Sequence, residues 1–337
     1  MACPAEQKPS RTETDLKKAI LSVIAFFDLF DYPLTVQEVW QWLGKKSAPA
    51  EVLAILDHLA GAAGGSGADD GTQAQPGSGR PLAARDGFYF LSGRSLLPAA
   101  RRERYAASAR KMKRAAAAAR VFSWLPWTRF VALGNIMGAR NLKTESDLDI
   151  FIIAAAGRAW LVRFFCAGLA KLFGWRPRPG KHRDQICLNF FAAADGLDFS
   201  AFLLPAADGQ GADDPYFAYW LANLRPFYDA GGFYARLISA NPWFREKLPN
   251  WRRPAEAQPE RPAAPGKSGP AGKFFDWLEA RARRWQIWIM PPALSARLNQ
   301  DTRVRADEKT IKLHTEDRRA DYRRAFREKL AGGHLHD

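Results

Sequence analysis

Cysteine is scarce in this chain. Among its 337 residues only Cys3, Cys166 and Cys187 occur. They sit at no metal-ligand spacing, which excludes a disulfide framework and a cysteine-built zinc site. Histidine is equally thin. His314, His334 and His336 form no ligand set, and His182, between Lys181 and Arg183, reads as a surface loop residue. Long apolar runs are absent too. The nearest approach, 149–175, is broken by Arg158, Arg163 and Lys171, so no membrane-spanning helix is expected. The opening residues, MACPAEQKPSRTETD, lack the apolar core of a secretion signal. Acidic charge is the scarcer sign: 35 Asp and Glu against 50 Lys and Arg leave a net charge of +15. What is present is the 47% hydrophobic and 25% charged composition of a core-forming chain, which excludes wholesale disorder. Together these features predict a cytoplasmic, basic, soluble protein with no membrane partner. A basic excess favours polyanions such as nucleotides or nucleic acid, and it also serves solubility.

The apolar spacing divides the chain. In 16–30, Leu16, Ile20, Val23, Ile24, Phe27 and Phe30 fall on one helical stripe. Tyr32-Pro33 breaks it, and Thr35 is placed to cap a second helix. A third stretch, Glu51 to Leu59, repeats the period, and residues 61–84 read as a flexible insertion. Phe88 to Leu91, bounded by Gly87 and Gly93, then reads as a short strand. Three helices and a hairpin predict a winged-helix-like domain over 16–95; the same order also suits a packing module. Residues 96–125 read as a basic connecting helix. Its segment 96–120 carries eight cations against Glu103 alone, a surface suited to nucleic-acid phosphates or simply to solvent. Beyond it we expect a catalytic core at 126–205, an aromatic helical region at 213–250, a Pro-rich linker at 252–272 and C-terminal helices at 273–332. Trp285 and Trp288, with Ile287 and Ile289, read as an aromatic packing stripe rather than a membrane anchor, and Cys166 and Cys187 as buried, inert thiols.

Chemistry concentrates in 129–163, RFVALGNIMGARNLKTESDLDIFIIAAAGRAWLVR. A short apolar run, Phe130 to Leu133, ends in Gly134-Asn135. A polar loop follows, and then Ser146-Asp147-Leu148-Asp149 leads into a second apolar run. In a strand, alternate side chains share a face, so Asp147 and Asp149 project together while Leu148 is buried. Neighbouring carboxylates repel unless a cation lies between them. Oxygen ligands suit Mg²⁺ or Mn²⁺. Backbone N–H groups of the Gly134-Asn135 turn are placed to hold a phosphate, with Arg140 and Lys143 in the intervening loop and Ser146 at its end.

These residues resemble the nucleotidyltransferase superfamily that includes DNA polymerase beta. Its signature is an apolar strand, Gly-Ser or Gly-Gly, a loop, and Asp-x-Asp in a second strand. More widely, FDLFDYPLT (27–35), DGFYFLSGR (86–94), GRAWLVRFF (157–165), QICLNFF (185–191) and ANPWFREKLPNW (240–251) look like a bacterial group of nucleotidyltransferase-domain proteins with a winged-helix-like N-terminal part. The resemblance implies an α+β fold with a small mixed-sheet core. It also implies Mg²⁺ or Mn²⁺ on Asp147 and Asp149, a nucleoside triphosphate as substrate, and transfer of its nucleoside monophosphate to a hydroxyl acceptor. Gly134, Asn135, Ser146, Arg140 and Lys143 would bind the nucleotide. Two departures stand out. Asn135 replaces the usual Ser or Gly. Asn189, in the strand 185–191, stands where a third carboxylate is expected, with Asp184 and Asp198 as the other candidates. An amide cannot act as a base, so a nucleotide-binding protein without turnover, serving a regulatory or nucleic-acid-binding role, remains the alternative.

Overall fold

The computed structural model describes residues 11–61, 80–135, 142–177, 183–206, 209, 211–253, 270–314 and 316–332. The fold is α+β: among these residues there are eleven helices, a two-stranded hairpin and a mixed six-stranded sheet. They form two compact units, one drawn from 1–102, 245–252 and 322–337, the other from 103–244 and 253–321. No described helix is long and apolar enough to cross a membrane.

In the first unit, α1 (Arg11–Asp28), α2 (Val36–Trp42) and α3 (Pro49–Ala60) precede a hairpin of β1 (Leu82–Arg85) and β2 (Phe88–Leu91). The hairpin turns on Asp86 and Gly87, both at positive φ, the two-residue geometry that matches strand twist. The expected stripe of α1 is buried at Leu16, Ile20, Val23, Ile24 and Phe27, and Phe27 stacks on Trp42 at 4.2 Å between centroids. Thr35 caps α2 as expected: its Oγ1 accepts from Glu38 N–H, and its own N–H donates to Glu38 Oε2 at 2.9 Å. The insertion expected over 61–84 is shorter at its far end, because Leu82 and Ala83 are buried in β1; residues 62–79 lie outside the described residues.

The basic helix is α4 (Leu97–Phe122). It is less free a cationic surface than its composition suggests. Arg101 is buried; it donates to both oxygens of Glu38, at 2.8 and 2.7 Å, and to the carbonyl of Pro33. Its guanidinium lies over the rings of Tyr32 and Phe88. Arg102 pairs with Asp86. Further along, in the second unit, Lys111 is fully buried, pairs with Asp184 at 3.1 Å and donates to the Ser146 carbonyl; Arg110 meets the same carboxylate.

The second unit is built on the sheet order β6-β3-β4-β5-β8-β7. Its strands are β3 (Thr128–Leu133), β4 (Leu148–Ala154), β5 (Ile186–Ala193), β6 (Arg225–Asp229), β7 (Val304–Ala306) and β8 (Thr310–Leu313). Only β4 and β5 pair in parallel, joined through α5 (Ala159–Leu172); every other pair is antiparallel. The sheet is therefore wider than a core ending at 205. The aromatic region contains β6 between α6 (Pro215–Ala222) and α7 (Phe233–Ser239), followed by α8 (Pro242–Lys247). The C-terminal segment holds β7 and β8 between α9 (Pro270–Trp288), α10 (Pro292–Ser295) and α11 (Arg319–Ala331). Short strands there escaped the helical reading because their side chains are almost all buried, which erases alternation. Residues 254–269 of the expected linker lie outside the described residues.

Glu279 of α9 accepts from the N–H groups of Trp160 and Leu161, at 2.8 and 2.9 Å, supplying the cap α5 lacks locally. Trp285 and Trp288, expected as a packing stripe, are 47% and 81% exposed. The helix instead packs inward through Gln286, which is buried and donates to the Trp160 carbonyl at 2.9 Å.

Arg101→Met strands Glu38 in the interior and should cost about 3–5 kcal/mol, read as a lower urea midpoint; an unchanged midpoint refutes the clamp. Burial pushes the Glu38 carboxyl up, but the hydrogen bond and charge of Arg101, with Thr35 and Tyr32, outweigh it and leave it below its usual range. The pair's contribution is thus complete above roughly pH 4.3 and lost as pH falls through the lower folded value. An acid titration of Arg101→Met/Glu38→Gln should lack that part of the slope.

Candidate functional site

The end of β3 and the start of β4 bring the two motif halves together. Leu133 pairs with Ile150, and Gly134 N–H donates to the Asp149 carbonyl at 2.7 Å, extending the ladder by one bond. That bond uses the Gly134 N–H inside the sheet, so it is not the phosphate donor the sequence suggested. Glycine at 134 leaves room for Trp220: a Cβ would stand 3.1 Å from its Nε1, so the indole would have to shift by a few tenths of an ångström to admit one. Asn135 also departs from expectation. Its Nδ2 donates to Asp149 Oδ2 at 3.0 Å, and its Oδ1 accepts from Asp149 N–H at 3.1 Å. The amide therefore orients Asp149 rather than reaching for a phosphate.

Asp147 and Asp149 project together, with Leu148 fully buried between them. The third member of the cluster is Cys187. Ligand atoms of Asp147, Asp149 and Cys187 all lie within 4.8 Å of one another. The strand register explains this. Cys187 is the β5 partner of Asp149, whereas the next paired positions are Phe151 and Phe190. Here β5 advances three residues while β4 advances two, an irregularity that contains Asn189. Asn189 donates to Cys187 Sγ and so touches the carboxylates through the thiol. The residue on β5 beside the two carboxylates is thus Cys187, read from sequence as an inert thiol, while Asn189, expected there, reaches them only through it. The parallel register to Asp149 was the missing signal, since spacing along β5 alone does not reveal it.

The remaining candidates are placed as follows. Ser146 Oγ donates to the Lys143 carbonyl at 2.9 Å and accepts from Lys111, and Lys143 is exposed. Arg140 lies outside the described residues. Asp184 is held by Lys111 and Arg110, and Asp198 is exposed, accepting from Ser200 N–H at 2.9 Å. Neither joins the cluster.

The electrostatics are those of a site short of positive charge. Burial first, then the charge of Asp147, pushes the Asp149 carboxyl up to about 7, partly offset by a hydrogen bond from Cys187. Burial and the same two carboxylates push the Cys187 thiol up, against the charge of Arg176. A divalent cation placed among the three groups would favour the ionised form of each.

Comparison with known proteins gives no match: no family model, no curated protein and no solved structure matches this chain.

Because the folded value of Asp149 lies above the unfolded one, the folded state holds this proton more tightly. Without metal, stability should decline as pH rises from about 4 through 7. Asp149→Asn should flatten that decline, so that its melting temperature at pH 8 exceeds that of the parent chain. Parallel melting curves across pH 5 to 8 would sink the assignment.

Proposed function

We propose that the second unit is a metal-dependent nucleotidyltransferase, moving a nucleoside monophosphate from a nucleoside triphosphate to a hydroxyl acceptor. The observation that carries this reading is the convergence of Asp147 and Asp149 beside the Gly134 corner, within 4.8 Å of each other and of Cys187. The resemblance of Leu133-Gly134-Asn135 and Ser146-Asp147-Leu148-Asp149 to the nucleotidyltransferase signature supports it. Two carboxylate oxygens fit a hard divalent ion such as Mg²⁺ or Mn²⁺; the neighbouring thiol fits it poorly. In this reading Asp147 and Asp149 hold the ion, which supplies charge for the triphosphate. Asn135 fixes the carboxylate of Asp149, and Lys143 stands near the phosphates. The acceptor oxygen bonds to the α-phosphorus, the bond to pyrophosphate breaks, and the hydroxyl proton leaves to water. A reducing, cytoplasmic setting belongs to the same reading, because Cys187 stands beside the carboxylates as a free thiol.

A second reading has its own observation. Cys187 and Asn189 occupy the strand positions from which a third carboxylate would serve as base. Neither a thiol held protonated nor an amide replaces it, which favours nucleotide binding without turnover, in a regulatory or nucleic-acid-binding role.

Thermal shift and label transfer separate the two. Saturating Mg²⁺ and ATP, at a hundredfold excess over the dissociation constant, should raise the melting temperature by roughly 5–10 °C. Asp147→Asn/Asp149→Asn should abolish the shift. Release of pyrophosphate, with an α-phosphate label moved to an acceptor in cell extract, establishes transfer. A shift without release leaves binding alone, and no shift with any of the four triphosphates rejects both readings.

A further inference from the structure

A cavity of about 660 Å³ lies between α5 and the segment formed by α9 and α10. This volume falls within the range of about 300–1,000 Å³ found for small-molecule pockets. Three cations line it: Arg163, Lys171 and Arg176. No carboxylate does, and among the described residues none of the three forms an ion pair. Arg163 donates from Nη1 to Gln286 Oε1 at 2.5 Å, while its Nε is buried without a partner among the described residues. Burial, then the charge of Arg176, pushes the Arg163 guanidinium down to about 10. Neighbouring guanidiniums with an unsatisfied buried donor are stabilised by an anion placed between them.

The rest of the wall is apolar. Leu294 and the buried Leu313 are among its lining, and Phe164, Trp285 and Ile289, exposed by 39%, 47% and 47%, mark its mouth. Phe164 and Trp285 meet edge to face, with ring centroids 5.5 Å apart. Outside the mouth, the solvent face of α9 carries Phe274, Trp277 and Trp288, all exposed, with Lys273, Arg281 and Arg284 among them. Its exposed Asp276 is tied to Arg158 at 2.7 Å. Aromatic rings and cations on one helix face suit the boundary between water and an apolar phase.

We propose that this cavity binds an amphiphile with a phosphate-ester headgroup, its phosphate against Arg163 and Arg176 and its apolar body along Phe164, Trp285 and Ile289. Phosphate is favoured over carboxylate because two guanidinium forks and an ammonium match three terminal oxygens and a second negative charge. None of Asp147, Asp149 and Cys187 lines the cavity, although the charge of Arg176 also acts on Cys187; the proposal does not require that the cluster transfer nucleotides.

Calorimetric titration of the full chain with dodecyl phosphate, below its micellar concentration, tests the proposal. A micromolar dissociation constant is expected, with inorganic phosphate at least a hundredfold weaker and dodecyltrimethylammonium not binding. Arg176→Gln should weaken dodecyl phosphate at least tenfold with an unchanged melting temperature. Arg163→Gln should do the same, but it also loses the Gln286 bond, so Arg176→Gln is the decisive variant. Equal affinity for the cationic amphiphile, or full affinity in Arg176→Gln, overturns the proposal. Co-sedimentation with phosphatidic acid vesicles, lost in the double variant, assigns a lipid source. Binding of free dodecyl phosphate without sedimentation assigns a soluble one. Sedimentation that survives the double substitution places the contact on the outer face of α9 and overturns the cavity.

Discussion

Asp147, just before β4, and Asp149, on it, stand close enough to repel each other, and the corner of the second unit that holds them is arranged around that repulsion. The backbone bond from Gly134 to Asp149 and the paired bonds of Asn135 hold Asp149 against it. Leu148, buried on the opposite face of β4, prevents the strand from rolling to release the charges into water. Such a geometry is kept at a cost to the folded chain, and in proteins such costs gather at sites that bind something.

Much of this corner was legible in the sequence because it depends on local periods. A residue pair two apart in an apolar run shares a face in any strand, so the projection of Asp147 and Asp149 needed no tertiary knowledge. Thr35 with Glu38 is likewise a four-residue pattern, and the bonds found match it. These features are set within one or two turns of chain, where sequence speaks most directly.

What was not legible depends on partners distant in sequence. Cys187 reads as an ordinary core thiol until β5 is laid parallel to β4 with an extra residue in its course. Arg101 reads as one more positive charge on a basic helix until Glu38, sixty-three positions earlier, is placed beneath it. The strand pair β7 and β8, nearly wholly buried, offers no alternation to distinguish it from helix. The Asn135 side chain illustrates the limit. Its chemistry allows donation to phosphate or to carboxylate, and only the fold decides, by bringing Asp149 within 3.0 Å.

The close approach of Gly134 and Trp220 carries one more consequence. Trp220 stacks on Phe190 and meets Phe151 edge-on, with centroids 5.3 and 5.5 Å apart. Its indole therefore bridges the glycine corner and the two strands that bear Asp149 and Cys187. Any rearrangement of that corner alters the surroundings of this ring, so Trp220, one of twelve tryptophans, is a native chromophore at the seam whose share of the near-ultraviolet dichroism, isolated by difference against Trp220→Phe, can report on the corner without an attached dye.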